Sequence, residues 1–287
     1  MNIYQTNVNI KKMNSWGLAS QVAYCATPND ISELKLAITQ APSDMPLKFL
    51  GLGSNILPVD EYLELAVIRL RGCLQHMYFE GDEVLLGAGV SCAKVAKWLL
   101  QQGHQDGVFF AGIPGTVGGA IRMNAGAFGG ETMRYCVGID CLNEQGETVK
   151  VHPDELSVGY RQISLPHDWC IVQGRFKFPH HPGSKDLIAD LLKARAMTQP
   201  IGQRSCGSVF KNPPGHHAAQ LIDQLGLKGQ RMGAMEISNK HANFMINTGG
   251  GKGVDALSLI RLIQAQVAQA YQIELEPEVK IWTNSTY

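Results

Sequence analysis

The sequence predicts an α+β fold, and three observations carry that prediction. Helical and strand-like periods are mixed along the chain without strict alternation of strand and helix, the pattern of α+β rather than doubly wound proteins. The chain has 287 residues, more than one ordinary domain needs. Its hydrophobic content of 45% is enough to bury normal cores and gives no sign of disorder.

The elements follow in order. Pro28-Asn29-Asp30 ahead of Ile31, Leu34 and Ile38 predicts a capped amphipathic helix. "PLKFLGLGSNILPVD" predicts a buried strand running into a Gly-x-Gly-Ser-Asn loop. "DEVLLGAGVSCAKVAKWLLQQG" predicts a strand, a glycine turn and a helix capped by Ser91 and stopped by Gly103. Between residues 137 and 178, short alternating segments such as "GETVKV" and "CIVQGRFKF" predict strands. A helix from about Lys185 ends before Pro200, which marks a domain boundary. "HHAAQLIDQLG" predicts a short helix with Gly226 as its stop. Ala256, Ile260, Ile263, Val267 and Ala270 recur at helical steps within 254–272, the longest predicted helix. "IELEPEVKIW" closes the chain as an alternating strand.

Composition narrows the function. Twenty-five basic residues balance 25 acidic ones, and no basic cluster is interleaved with aromatics. Binding to nucleic acid or to an anionic membrane is therefore not expected. No run of 18 apolar residues occurs, and "MNIYQTNVNIKK" is polar, so a cytoplasmic protein is expected. The seven cysteines (25, 73, 92, 136, 141, 170 and 206) form no C-x-x-C pair, which fits reduced thiols. His180/His181 and His216/His217 are adjacent rather than spaced along one helix face, so no metal site is expected.

Glycine is the anomaly. Of 31 glycines, seven fall between Gly112 and Gly130. A structural loop needs one or two; this density predicts backbone pressed against a large flat or anionic ligand such as a nucleotide or a flavin pyrophosphate. Gly51-Leu52-Gly53-Ser54-Asn55 reads either as a phosphate loop or as a tight turn, and it lacks the lysine of a nucleotide-triphosphate loop. Gly87-Ala88-Gly89 is a poor dinucleotide fingerprint, because Cys92 stands third and Asp106 lies in a loop. In "QRSCGSVFKNP", Cys206 is the nucleophile candidate by residue type and Ser208 the less obvious one.

Six ordered segments resemble a known family: "LGLGSNILPVD", "AGIPGTVGGAIRMNAGAFGGE", "GYRQ", "CGSVFKNP", "KHANFMIN" and "LEPEV". The chain is similar to the UDP-N-acetylenolpyruvoylglucosamine reductases (MurB) over about residues 45–282, in the compact form without the extra substrate loop. Two places depart from the pattern. "MNSWGLASQVAYC" offers only Gly17 where the family has a Gly-Gly pair, and Ser164 of "GYRQIS" falls one residue late.

The resemblance implies an FAD-binding unit of two α+β subdomains, of the vanillyl-alcohol-oxidase (PCMH) kind, plus a C-terminal α+β substrate domain. The implied division is 1–70 joined by the closing strand in 274–287, then 71–198, then the substrate domain 199–273. It implies non-covalent FAD with NADPH as reductant, a UDP-sugar enolpyruvyl ether as substrate, and a monomer. Arg161, Ser208 and Glu278 occupy the catalytic positions, and Tyr160, Asn212 and His241 the substrate-contacting ones. Gly51, Gly53, Ser54, Asn55, Ile56, Gly112, Ile113, Pro114, Gly115, Gly118, Gly119, Asn124, Ala125 and Gly126 fall on the flavin-binding segments.

By the same resemblance, hydride goes to the β-carbon of the enol ether and charge develops toward the substrate carboxylate. A planar, always-charged guanidinium suits that carboxylate. Glu278 must carry a proton to help rather than repel, and burial raises a carboxyl pKa. A serine hydroxyl is acid enough to protonate so basic an intermediate. Ser208 is thus chosen over Cys206. The alternatives are an oxygen-using FAD oxidase of the same broad fold and a flavin- or nucleotide-binding module without catalysis.

Overall fold

The strand Glu83–Gly87 is buried from Val84 onward, so both of its faces must be covered. In the computed structural model, which describes residues 3–285, it lies inside a five-stranded antiparallel sheet. The strand order is Thr148–Val151, Cys136–Leu142, Cys170–Phe176, Glu83–Gly87, Met77–Glu80, with Cys141 opposite Val149 and Arg175 opposite Leu85. The chain divides into two compact units. Within the described residues, the first comprises 3–6, 24–52 and 65–193; the second comprises 7–23, 53–64 and 194–285. The expected boundary at 70/71 falls inside the first unit.

The main core of the first unit is built on that sheet. Val84, Leu86, Val95, Leu99, Phe109, Phe110, Ile121 and Phe176 form one cluster with the helix Cys92–Gln101 and the short helix Val117–Arg122. Ser91 precedes the first of these helices as expected, but its side chain makes no capping bond. A second, smaller core holds the predicted helix Ile31–Thr39. Asp30 caps it by accepting the Glu33 N–H at 2.8 Å, and Leu34, Ala37 and Ile38 are its buried face. There Leu47–Leu50 runs parallel to the last residues of Tyr62–Arg69, Leu47 opposite Ala66.

In the second unit the helix Gly253–Tyr271 is the longest element, and its buried residues include Ala256, Ile260, Ile263 and Val267, four of the five positions whose spacing predicted it. The fifth, Ala270, is exposed. The helix joins Trp16, Leu57, Phe210, Ile222 and Ile237 in one core. Three short strands, Arg231–Met232, Met235–Ile237 and Met245–Asn247, form an antiparallel meander. "IELEPEVKIW" is mostly not a strand: only Lys280–Trp282 pairs, parallel to Ile56–Pro58. Proline at position 277 has no N–H for a ladder, and the preceding residues run as irregular chain with one bridge, Phe210 to Pro277.

Among the described residues, no helix is long and apolar enough to cross a membrane.

Candidate functional site

Arg161 is carried by a minimal hairpin in the first unit. Val158–Gly159 pairs with Gln162–Ile163, so Tyr160 and Arg161 make the two-residue turn. Arg161 has φ of 60°, the left-handed region that non-glycine residues enter at a cost of about 1–2 kcal/mol. Its guanidinium donates to the Gly126 carbonyl at 3.1 Å and to the Asn124 carbonyl at 3.4 Å. It also stands 5.0 Å from the centre of the Tyr160 ring. The same guanidinium lines an open depression of about 390 Å³ with Arg134, Glu131 and the backbone of Gly126, Ala127, Gly129 and Gly130. A second strained turn borders it: Phe128 and Gly129, both at positive φ, join Gly126–Ala127 to Gly130–Glu131.

The glycine-rich segment divides into two kinds of position. A Cβ on Gly118 would come within 2.9 Å of the Ala88 methyl, and one on Gly130 within 2.8 Å of the Phe109 ring. On Gly126 it would meet the Gly130 carbonyl at 2.5 Å. At these three the protein itself leaves no room for a side chain, so packing alone is enough to require glycine there. Gly119 is different. It is exposed, and a Cβ there would meet nothing nearer than Thr116 Oγ1 at 3.9 Å. A glycine inside a helix costs about 1 kcal/mol relative to alanine, and here no neighbour within the protein demands it. Exposed glycine backbone of this kind lets a flat or anionic ligand such as a flavin approach closely.

The other flavin candidates of this unit are also built into it. Ile113 is core, and the Gly115 carbonyl accepts the Cys92 N–H at 2.9 Å. Ala125 donates to Ala120 and accepts Thr132. Gly112 ends a 3-10 turn, and Pro114 beside it is exposed. A Cβ on Gly51 would meet Thr116 Oγ1 at 2.5 Å. Gly87 and Gly89 press on the backbone of residues 73–74, within 2.2 and 2.3 Å of a built Cβ, so that fingerprint-like turn is a packing feature.

In the second unit the structure brings Ser208 and Glu278 onto adjoining backbone. The Glu278 N–H donates to the Val209 carbonyl at 2.7 Å, and Lys211 N–H to the Glu276 carbonyl at 2.9 Å. On its other side Ser208 bridges Phe244. Asn243, 4% exposed, grips this segment: its side chain accepts the Phe210 N–H at 2.9 Å and donates to the Phe210 carbonyl at 2.8 Å. Sequence reading passed over Asn243. The motif "KHANF" contained it, but nothing in a sequence separates an amide that touches ligand from one that holds backbone.

Glu278 is half-buried, less exposed than Glu276 and Lys280 beside it. Asn55, expected at the flavin, donates to the Glu278 carbonyl at 3.1 Å, and its own carbonyl accepts the Lys280 N–H at 3.0 Å. Gly53 has φ of 67°, and a Cβ there would lie 1.8 Å from the Met13 carbonyl. The Ser54 carbonyl accepts the Ser15 hydroxyl at 3.3 Å, and Ile56 is buried. Asn212 is exposed, with its Oδ1 accepting the Ala218 N–H at 3.0 Å.

His241 packs edge-on against Phe244 at 4.8 Å. Burial, reinforced by Lys228 and Arg195, holds its pKa below the ordinary value, so the ring is neutral at pH 7. Its Nδ1 is buried without a hydrogen-bond partner. Cys206 is 6% exposed. Burial, with Glu278 adding to it, pushes its thiol far above the usual range. A thiol so protonated is a poor nucleophile.

Comparison with known proteins gives first the class and then the family. Residues 22–152 match the model of an FAD binding domain, and residues 199–282 that of the UDP-N-acetylenolpyruvoylglucosamine reductase C-terminal domain. The chain is an FAD-dependent oxidoreductase of α+β fold. The UDP-N-acetylenolpyruvoylglucosamine reductase of Coxiella burnetii is 42% identical, over 95% of this chain and 93% of the relative. That of Legionella pneumophila is 41% identical, over 96% and 92%. The crystal structure of the MurB enzyme from Thermus caldophilus superimposes with a TM-score of 0.81 at 32% identity, covering 98% of this chain and all of that one. The chain belongs to the UDP-N-acetylenolpyruvoylglucosamine reductase family.

Proposed function

We infer that this chain reduces UDP-N-acetylglucosamine enolpyruvate to UDP-N-acetylmuramate with FAD and NADPH, a step in making peptidoglycan precursors. The observation that carries the mechanistic part is the Val209–Glu278 hydrogen bond of 2.7 Å, which fixes Ser208 and Glu278 on neighbouring backbone. FAD, when bound, would supply hydride chemistry, with NADPH as the reductant. The segment 112–119 with Gly119 at its open face, and the turn 51–56, are the residues that would hold it.

Arg161 binds the substrate carboxylate, where its charge opposes the negative charge that develops during the reaction. Ser208 Oγ gives its proton to the α-carbon, and Glu278 can stabilise the same charge only in a form that carries or shares a proton, since a bare carboxylate would repel it. Tyr160 flanks Arg161 and orients the substrate, as do Asn212 and His241. Cys206 takes no part. An inert buried thiol beside a partly accessible serine supports choosing the hydroxyl.

The division into 1–70 with 274–287, 71–198 and 199–273 is kept as a functional proposal: two parts for the flavin and one for the sugar nucleotide. Balanced charge without a basic cluster supports a protein that takes no nucleic-acid or anionic-membrane partner, and a monomeric, cytoplasmic protein is part of the same proposal. The test is mixing the yellow protein with NADPH and then with the enolpyruvyl sugar nucleotide, once anaerobically and once in air. NADPH oxidation should accelerate only with that substrate and yield one equivalent of the lactyl ether product. Oxidation indifferent to the substrate, or sustained by oxygen alone, would instead favour an oxidase.

A further inference from the structure

Asn124 was expected to contact flavin, but both ends of its side chain are taken by the protein. Its Nδ2 donates to the Gly159 carbonyl at 3.1 Å, and its Oδ1 accepts the Met133 N–H at 3.0 Å. The residue is 2% exposed and has φ of 38°, a left-handed conformation that asparagine tolerates better than most residues. The side chain reaches the hairpin that carries Arg161, because Gly159 is the last strand residue before the Tyr160–Arg161 turn. The backbone of the same segment receives the guanidinium, at the carbonyls of Asn124 and Gly126.

We propose that Asn124 is the positioning residue of Arg161. It fastens the base of the hairpin and the carbonyls that dock the guanidinium to one point, so the hairpin's turn and its side chain cannot move independently. The need is physical. A two-residue turn with a left-handed arginine is strained, and an isolated two-stranded hairpin is marginal in water. Without a fixed anchor the guanidinium would sample many poses. A displacement of about 1 Å at a charged binding group can cost about 10²-fold in rate. The proposal rests on the reading of Arg161 as the carboxylate-binding residue.

The test uses the flavin-loaded protein. Asn124→Gly accepts the positive φ and removes both side-chain bonds; Asn124→Asp keeps the shape and the acceptor but loses the donor to Gly159. Either suffices if the other does not fold. The expected result is flavin absorbance at wild-type occupancy and reduction by NADPH within about 3-fold of wild type. Reoxidation by the enolpyruvyl substrate should slow by about 10–100-fold. In an Arg161→Lys background the Asn124 change should add less than about 2-fold, because the two act as one unit. Lower flavin occupancy, with both half-reactions unchanged per bound flavin, would overturn the proposal in favour of a cofactor contact. Equal slowing of both half-reactions would mean a general structural role, and full additivity with Arg161→Lys an independent one. Failure of the underlying reading looks different: Arg161→Lys by itself would then reoxidise at the wild-type rate.

Discussion

Arg161 sits on a two-residue turn of a four-residue pairing, with left-handed backbone and a neighbour, Tyr160, that is 48% exposed. Ser208 and Glu278 lie instead on chain stitched to Phe244, Asn243 and Pro277 beside a core containing Val209, Phe210 and Val279. The first region holds its functional side chain by a few polar ties at the surface. The second holds its pair by burying the residues between them. A surface hairpin can be re-aimed by losing one hydrogen bond; a segment flanked by core residues moves only when the core does. Substitutions in the two regions should therefore fail in different ways.

Ser208→Ala should give the largest effect. Removing the proposed proton donor should slow flavin reoxidation by the enolpyruvyl substrate by about 10²–10⁴-fold, with reduction by NADPH within a few-fold of wild type. Stopped-flow absorbance separates the two steps, and equal slowing of both would assign Ser208 to binding or structure.

The glycines offer the next contrast. Gly118→Val would drive a branched side chain into Ala88, whose methyl is already 2.9 Å from a built Cβ, at about 1–3 kcal/mol of overpacking. Gly119→Ala meets no such obstacle and should raise the stability of the flavin-free protein by about 0.5–1 kcal/mol through helix propensity. Flavin titration should show weaker binding in the same variant. Stability and affinity moving in opposite directions would mark ligand contact; a Gly119→Ala protein with unchanged flavin affinity would remove Gly119 from the cofactor site.

Cys206→Ala should matter less. Losing a small buried side chain should cost about 1–2 kcal/mol by denaturant melting, with turnover retained. A folded, yellow but inactive variant would bring back a thiol mechanism and erase the contrast between this residue and Ser208.

The smallest effect expected concerns pH. The folded-state pKa of His241 lies below its ordinary value of 6.5, so the unfolded chain takes up the proton first. Its contribution to stability is complete above about pH 6.5 and is lost as pH falls toward the folded-state value. Thermal melting of wild type and His241→Asn should differ most in slope below about pH 6.5, the wild type losing stability faster. Parallel slopes would mean that the ring is not held neutral.

Local pattern was enough for much of this. Apolar spacing located the helix around Ile260 and Ile263, Asp30 marked the start of another, and Gly226 and Pro200 the ends of two more. These depend on neighbours within a turn or two, where propensity and periodicity act directly. The order of six short motifs carried the family, since chemistry restricts residue type at a site whatever surrounds it. Three-dimensional neighbours decided the rest. That Gly118 faces Ala88 while Gly119 faces open space depends on a contact 30 residues away in sequence, and both read as the same letter. Asn55, Asn124 and Asn243 are amides able to bind ligand or backbone equally well; only the folded chain set each against the carbonyl or N–H that it now holds. Sequence determines which groups are available, and tertiary packing determines which of them are already used.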